Sequence, residues 1–403
     1  MATCTDVPSV YLGRGGRSRK LARKPSVSPL LSLQQDVSLD QTRCPLEAWM
    51  NIVDASAGMD TDEASPSPSE PPEAGSIEKP MQALKEVLQQ SSTKAVVAVL
   101  PVLLAIELLL TRDSGYSAVF LESEGVQCCL ECLRRWIEDP AIARAVCAIL
   151  ANVVARETSG RSLIFACGGI PTLLEAMRRC SASADVQESC CKILKELAAM
   201  NAEMREHLLK ESALEMVINA MKNHVQHGRV QIAACGVLRN SSATSDACQS
   251  HLAALGAGQR VLQAMAQHTK DAALQCACCW ALFCLSVRKP TLQQELARQG
   301  ALRATLAAMK SQSAVAKVQE AGCWVLRELA STVRSDVLLW MEMVQSLSVA
   351  IHEHDVPEVQ KAGSAARQRL AVRGFRLSQF QTQLVRPSIV KRRRMISLSS
   401  IPE

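Results

Sequence analysis

A repeated spacing of 44 residues constrains the fold of this chain more than any other feature of its sequence. The dipeptide Val186-Gln187 has counterparts at this spacing, namely Ile142-Ala143, Val230-Gln231, Leu274-Gln275 and Val318-Gln319. A further copy, Val359-Gln360, follows after a shorter step of 41 residues. A fixed period of this length indicates an array of stacked structural repeats rather than an ordinary globular domain.

Two other columns of residues keep the same register. Counting from the first residue of each dipeptide, which we call the anchor, a cysteine stands five positions later: Cys147, Cys191, Cys235, Cys279 and Cys323. A leucine stands eight positions later: Leu150, Leu194, Leu238, Leu282 and Leu326. Offsets five and eight fall on one stripe of an α-helix. Because one unit cannot bury this stripe alone, we expect the columns to form a core shared between neighbouring repeats.

A small residue followed by an apolar helix recurs upstream of each anchor, as Gly125-Val126, Gly169-Ile170, Ala213-Leu214, Gly258 and Ala301-Leu302. Each unit is therefore predicted to contain a short helix, a turn at this Gly or Ala, a second helix, a polar loop and a longer third helix. The predicted fold class is all-α, a right-handed superhelical solenoid of such repeats with disordered N- and C-terminal tails.

Composition agrees with this class, because hydrophobic residues make up 48% of the chain and aromatic residues only 3%, which suits closely packed helices. The 17 cysteines lie in apolar helical runs, so we expect reduced, buried thiols. Residues 1–24 are basic and lack the apolar stretch of an export signal. These features predict a cytoplasmic protein, with the nucleus as an alternative location.

Three segments are predicted. Residues 1–78 form a disordered tail, first basic and then acidic and rich in Ser and Pro; residues 79–370 form about six to seven repeats; residues 371–403 form a basic tail. Within the first tail, residues 46–53 contain Trp49 and Met50 and are either a passive linker or a single amphipathic turn that packs on a partner.

Residues 95–110 are apolar except for Glu107 and could be mistaken for a membrane span. They are shorter than the roughly 20 residues that a spanning helix needs, and they contain Pro101. They also lie one repeat length before Ile142, where a third helix is due. We therefore expect a buried capping helix and no membrane association.

Residues 318–330 (VQEAGCWVLRELA) and 169–174 (GIPTLL) resemble the third and second helices of armadillo repeats, and the resemblance covers about residues 79–370. It implies an interaction scaffold that presents a groove lined by the third helices. The groove face would lie at offsets six, nine, ten and thirteen from each anchor. The candidate partner-binding residues there are Lys192, Glu196, Arg239, Asn240, Trp280, Phe283, Trp324, Arg327 and Glu328.

The predicted function is a non-enzymatic scaffold or adaptor that binds a partner peptide or helix. A nuclear-import-type adaptor is an alternative, but its ladder of Trp and Asn is incomplete, because Trp280 and Trp324 are followed at the Asn position by Cys284 and Glu328. A regulatory repeat region related to repeat-bearing kinases is the other alternative. Nucleic acid is a disfavoured partner, because no basic face rich in aromatic residues is evident.

Candidate chemical sites are weak. Cys129 and Cys132 have the spacing of half a zinc site but lack a second pair. The pair His224 and His227 is interpreted as solvated loop histidines, and Gly258 as a turn residue of the repeat. We expect no catalytic residues, no metal and no cofactor.

The C-terminal tail carries a basic tetrad, Lys391, Arg392, Arg393 and Arg394, followed by Ser397. The tetrad is a candidate nuclear localisation signal. Arg394 stands three residues before Ser397, which is typical of sites of basophilic kinases. A solubilising tail is the competing interpretation.

Overall fold

The computed structural model of the chain describes residues 75–90, 94–333 and 336–384, all within one unit, Ser38–Glu403. Helices and connecting turns make up these residues, with no strand among them. The first helix begins at Gly75, before the predicted start of the array at residue 79. The last runs to Leu384, past the predicted end at residue 370. The predicted tail at residues 1–74, including residues 46–53, and the tetrad with Ser397 lie outside the described residues.

Five units have three helices each. The first contains α3 (Tyr116–Glu122), α4 (Gly125–Arg135) and α5 (Pro140–Arg156). The second contains α6 (Thr158–Ala166), α7 (Gly169–Arg179) and α8 (Ala184–Met200), and the third α9 (Ala202–Lys210), α10 (Ala213–Asn223) and α11 (Gly228–Ser242). The fourth contains α12 (Asp246–Ala254), α13 (Ala257–Gln267) and α14 (Ala272–Ser286), and the fifth α15 (Pro290–Arg298), α16 (Ala301–Ser311) and α17 (Ala316–Leu329).

Two-helix units flank these five. Helices α1 (Gly75–Gln89) and α2 (Lys94–Arg112) precede them; a short 3₁₀ helix (Ala330–Thr332), α18 (Val337–Glu353) and α19 (Pro357–Leu384) follow. Each third helix packs on the third helix of the next unit, in the order α2, α5, α8, α11, α14, α17 and α19. The described part of the chain is therefore an all-α solenoid, as predicted.

The predicted core columns are confirmed. All five cysteines at offset five and all five leucines at offset eight have no exposed surface. The third helices start at a recurring N-cap position, where side-chain oxygens of Asp139, Ser183 and Asp271 accept hydrogen bonds from backbone N–H groups two or three residues later. These caps satisfy donors that a helix start would otherwise leave unpaired.

The glutamine of the anchor dipeptide has a structural role that explains its recurrence. Gln231 is buried, and its amide donates to the carbonyl oxygens of Met221 (3.0 Å) and His224 (2.9 Å) at the end of the second helix. Gln187, Gln275, Gln319 and Gln360 make the equivalent pairs of bonds. The last carbonyls of a helix have no partner within the helix, so the glutamine column ties α8, α11, α14, α17 and α19 each to the end of the helix before it.

The predicted turn position is corrected by one or two residues. The residues with left-handed backbone before the second helices are Glu124, Gly168, Ser212, Gly256 and Gly300. The predicted Gly or Ala instead begins the second helix, or is its second residue in the case of Gly258. Its small size is required by packing: a Cβ on Gly169 would lie 2.7 Å from Ile164 Cγ2.

The interpretation of His224 as a solvated loop residue is wrong. His224 is buried, and its Nε2 lies 2.8 Å from the carbonyl oxygen of Ser181 in the preceding unit. His268 makes the same contact with Val225, one spacing later. Because these rings lie at the end of the second helix, they join the loops of neighbouring units.

Helix α2 is buried on one face only, so its description as a buried capping helix needs correction. Ala95, Val99, Leu103, Ile106 and Leu110 have no exposed surface. The opposite face is apolar and exposed, because α1, α3 and α5 cover only one side of α2. Residues Ala95–Arg112 are the one stretch, among the residues that the structure describes, that is long and apolar enough to cross a membrane by length and composition.

Candidate functional site

An aromatic cluster joins α14 and α17 at the groove positions. The ring of Trp280 meets that of Phe283 edge-to-face at 5.8 Å between centroids, and Phe283 lies 6.0 Å from Trp324 in the next unit. Trp280 is half-buried, whereas Phe283 is 3% and Trp324 8% exposed. The cluster thus offers Trp280 as its open surface, supported from beneath by Phe283.

Charged groups border this cluster. The guanidinium of Arg327 lies over the Trp324 ring, 5.6 Å from its centroid, an arrangement in which the ring face attracts the cation. Arg327 also forms an ion pair with Glu328. Burial raises the pKa of Glu328, while the nearby cations Arg327 and Arg369 act in the opposite direction.

Glu320 belongs to the same edge of the site. The indole N–H of Trp324 donates to its carboxylate, and the pKa of Glu320 is raised, mainly by burial and next by the charge of Glu358. The repeat pattern did not single out Glu320, although this residue lies one helical turn before Trp324, a spacing that places both side chains on one face.

The middle of the groove face is built from α8 and α11. Arg239 is half-buried and donates from Nε to Asn240 Oδ1 at 3.0 Å. Asn240 is buried, and its Nδ2 donates to the carbonyl oxygen of Lys195 at 2.9 Å. A Cβ on Gly236 would lie 2.6 Å from Lys195 Cδ, so the missing side chain leaves room for the lysine stem across α11.

The predicted residues of α8 separate into one exposed and one buried group. Lys192 is exposed and pairs with Glu188 at 2.7 Å. Glu196 is 4% exposed and pairs with Arg161 of α6 at 2.7 Å. A carboxylate held in this way stabilises the contact between α6 and α8 and offers little surface to a partner.

The predicted set is therefore not one continuous surface. Lys192, Arg239, Trp280, Arg327 and Glu328 retain exposed area on the groove face. Glu196, Asn240, Phe283 and Trp324 are buried against neighbouring helices and act as supports for that face.

Comparison with known proteins gives a family match over part of the chain and a shared fold over more of it. Residues 139–247 match the family model described as LRRK2 ARM repeat. A designed armadillo repeat protein superimposes with a TM-score of 0.52 at 16% identity, over 62% of this chain and 99% of its own. The described residues therefore have the armadillo-repeat fold, and residues 139–247 resemble the matched family.

Other solved structures share the armadillo fold of this array. An engineered protein from the Northeast Structural Genomics Consortium gives a TM-score of 0.61 at 16% identity, over 85% of this chain and 77% of its own. A designed armadillo repeat protein in complex with peptide (KR)4 gives 0.50 at 15% identity, over 61% and 99%. The comparison with curated proteins found no match.

The cysteines of the armadillo core have thiols that resist ionisation. Burial raises the pKa of Cys191, Cys284 and Cys323 to about 12 in each case. Among the residues that the structure describes, no group of three or more His, Cys, Asp or Glu side chains is placed to hold a metal ion.

Proposed function

We propose that this protein is a non-enzymatic scaffold that binds a partner peptide or helix along the groove of its armadillo array. The observation that most supports this proposal is the cluster of Trp280, Phe283, Trp324 and Arg327 across two adjacent repeats. Trp and Arg are the residue types most enriched at binding hot spots. A pre-packed cluster also loses little side-chain entropy when a partner binds.

The chemistry of the cluster suggests what the partner presents. Trp280 offers an apolar ring surface, and on the adjacent repeat Arg327, which lies over Trp324, and Glu328 offer one donor group and one acceptor group. Packed helices lie about 10 Å apart, so about three residues of an extended peptide span the two repeats. We infer a short extended segment with one apolar side chain that packs on Trp280.

Two alternative functions differ from this proposal in what the groove binds or in how it binds it. An import-type adaptor requires Asn amides that are free to hold a peptide backbone, but the Asn240 amide donates to Lys195. A regulatory repeat region would use the same groove and differ in its partner, an enzymatic domain on another chain. The geometry of the groove face favours the general scaffold over the import-type adaptor.

Selection of binders from a displayed library of short peptides tests the proposal. We expect peptides that bind the full chain and lose about 30-fold in affinity for Trp280→Ala, which corresponds to a hot spot of about 2 kcal/mol. Arg327→Gln should also weaken binding. The matched control is Lys310→Ala, an exposed residue of α16 in the same unit as Arg327.

Circular dichroism of each variant reports whether the helices are retained. If the selected peptides bind Trp280→Ala and Arg327→Gln as well as they bind Lys310→Ala, the groove face is not the binding site.

We also propose a cytoplasmic location with entry into the nucleus through the tetrad at residues 391–394.

A further inference from the structure

Helix α2 carries an apolar stripe that the described residues leave uncovered. Val97 is 79% exposed, Leu104 42% and Leu108 68%, and the exposed Pro101 lies between them. The positions 97, 101, 104 and 108 follow one face of a helix. We call these four residues the terminal stripe.

The terminal stripe continues the groove face to the N-terminal end of the array. Leu104 and Leu108 lie one 44-residue spacing before Ala148 and Asn152, at offsets six and ten. The nearby carboxylate of Glu107 is already paired with Arg144 at 3.1 Å. An occupant of this stripe is therefore expected to be apolar rather than cationic.

The chain itself contains a segment with matching chemistry. Leu46, Trp49, Met50 and Val53 stand at the spacing i, i+3, i+4, i+7, which puts four apolar side chains on one face of a helix. As a helix, this segment would be about 10 Å long between Leu46 and Val53, against about 16 Å between Val97 and Leu108. The stripe is long enough to receive it.

The connecting chain is long enough to bring the two together. Residues 54–74 separate Val53 from the start of α1 at Gly75. Fully extended, they reach about 70 Å, and as a flexible coil they span about 25 Å on average. Helix α2 is only about 28 Å long, so every point of the terminal stripe lies within reach. A tether of this kind gives an effective concentration on the order of 1 mM.

We propose that residues 46–53 dock in cis on the terminal stripe of α2 and cover the apolar end of the groove face. Solenoids need a polar outer face at their ends to remain soluble, and an intramolecular segment supplies such a cover without a partner. The proposal is independent of the function proposed for the Trp280 cluster.

Hydroxyl-radical footprinting of the full chain, read by mass spectrometry, tests this docking. In the wild type we expect Trp49, Met50 and Leu108 to be protected. Leu104→Asp should raise the oxidation of Trp49 and Met50, and the double variant Trp49→Ser, Met50→Ser should raise the oxidation of Leu108. At an effective concentration of about 1 mM and an intrinsic Kd of about 0.1 mM, roughly one molecule in ten is undocked, so the increase is up to about tenfold.

The matched control is Leu338→Asp, because Leu338 is 75% exposed on α18 in the last unit. It should leave Trp49 and Leu108 unchanged. Both substituted leucines are exposed, so neither variant removes core packing. Unchanged oxidation in both test variants overturns the proposal.

Two further arms separate docking in cis from other occupants. If protection of Leu108 increases with protein concentration, a second copy of the chain covers the stripe and docking in cis is wrong. If Leu108 is protected only when vesicles of phosphatidylcholine and phosphatidylserine are added, the stripe binds lipid and the proposal is also wrong. Protection that is independent of both conditions supports docking in cis.

Discussion

The glutamine column allows a sharp test of how neighbouring helices are held together. Gln231 is 2% exposed, and its amide donates to two carbonyl oxygens of the preceding helix end. In Gln231→Met the side chain keeps its length and loses both donors. We expect the array to be destabilised, although the new side chain fills the same space.

The size of this destabilisation depends on which carbonyl oxygen loses its hydrogen-bond donor in Gln231→Met. The His224 oxygen also accepts a bond from the backbone N–H of His227 (3.0 Å) and keeps it. The Met221 oxygen lies in the last turn of α10, where no donor follows within the helix. One buried acceptor is therefore left unsatisfied, which costs about 1–3 kcal/mol.

Thermal unfolding followed by circular dichroism measures this cost. An unfolding entropy of about 2.1 cal/mol/K per residue, over roughly 300 residues, makes 2 kcal/mol equivalent to about 3 °C in Tm. Arrays of repeats can unfold in parts. Hydrogen exchange of the amides around the end of α10 should therefore show whether stability is lost at that site. Gln226→Met, at an exposed glutamine in the same loop, is the control. If both variants unfold alike and exchange alike, the glutamine column does not cap the second helices.

Three further predictions concern the core, the cysteines and the tail. Leu238→Ala should cost about 2–5 kcal/mol through a cavity between repeats; an unchanged denaturation midpoint would contradict the assigned register. Cys191, whose pKa is raised to about 12 by burial, should react with a thiol reagent far more slowly than the half-buried Cys276, and equal native-state rates would argue against buried thiols. Alanine substitution of residues 391–394 and Ser397→Asp should each lower the nuclear fraction, since phosphate-like charge weakens a basic signal; equal distribution of both variants and the wild type would leave the tail as solvated charge.

Local pattern was enough to predict the architecture. The cysteine and leucine columns repeat every 44 residues, and such a stripe is buried only when units stack. Each unit therefore shows the same cysteine and leucine pattern, and this pattern alone was enough to predict that Leu238 is buried between repeats. The exact turn residue could not, because Gly169 is small for packing against Ile164 rather than for left-handed backbone.

The exposed surface of the groove depended on contacts between helices, both within one repeat and between adjacent repeats. Glu196 looked available because its own helix places it on the groove face, but Arg161 from another helix buries it. Asn240 is occupied by the backbone of Lys195, and Trp324 is covered where Phe283 packs beside it. Periodicity determines which face of a helix a side chain occupies. The size and charge of residues on the adjacent helices, in the same repeat or in the next, determine whether that face remains open. Only the tertiary structure brings those residues together.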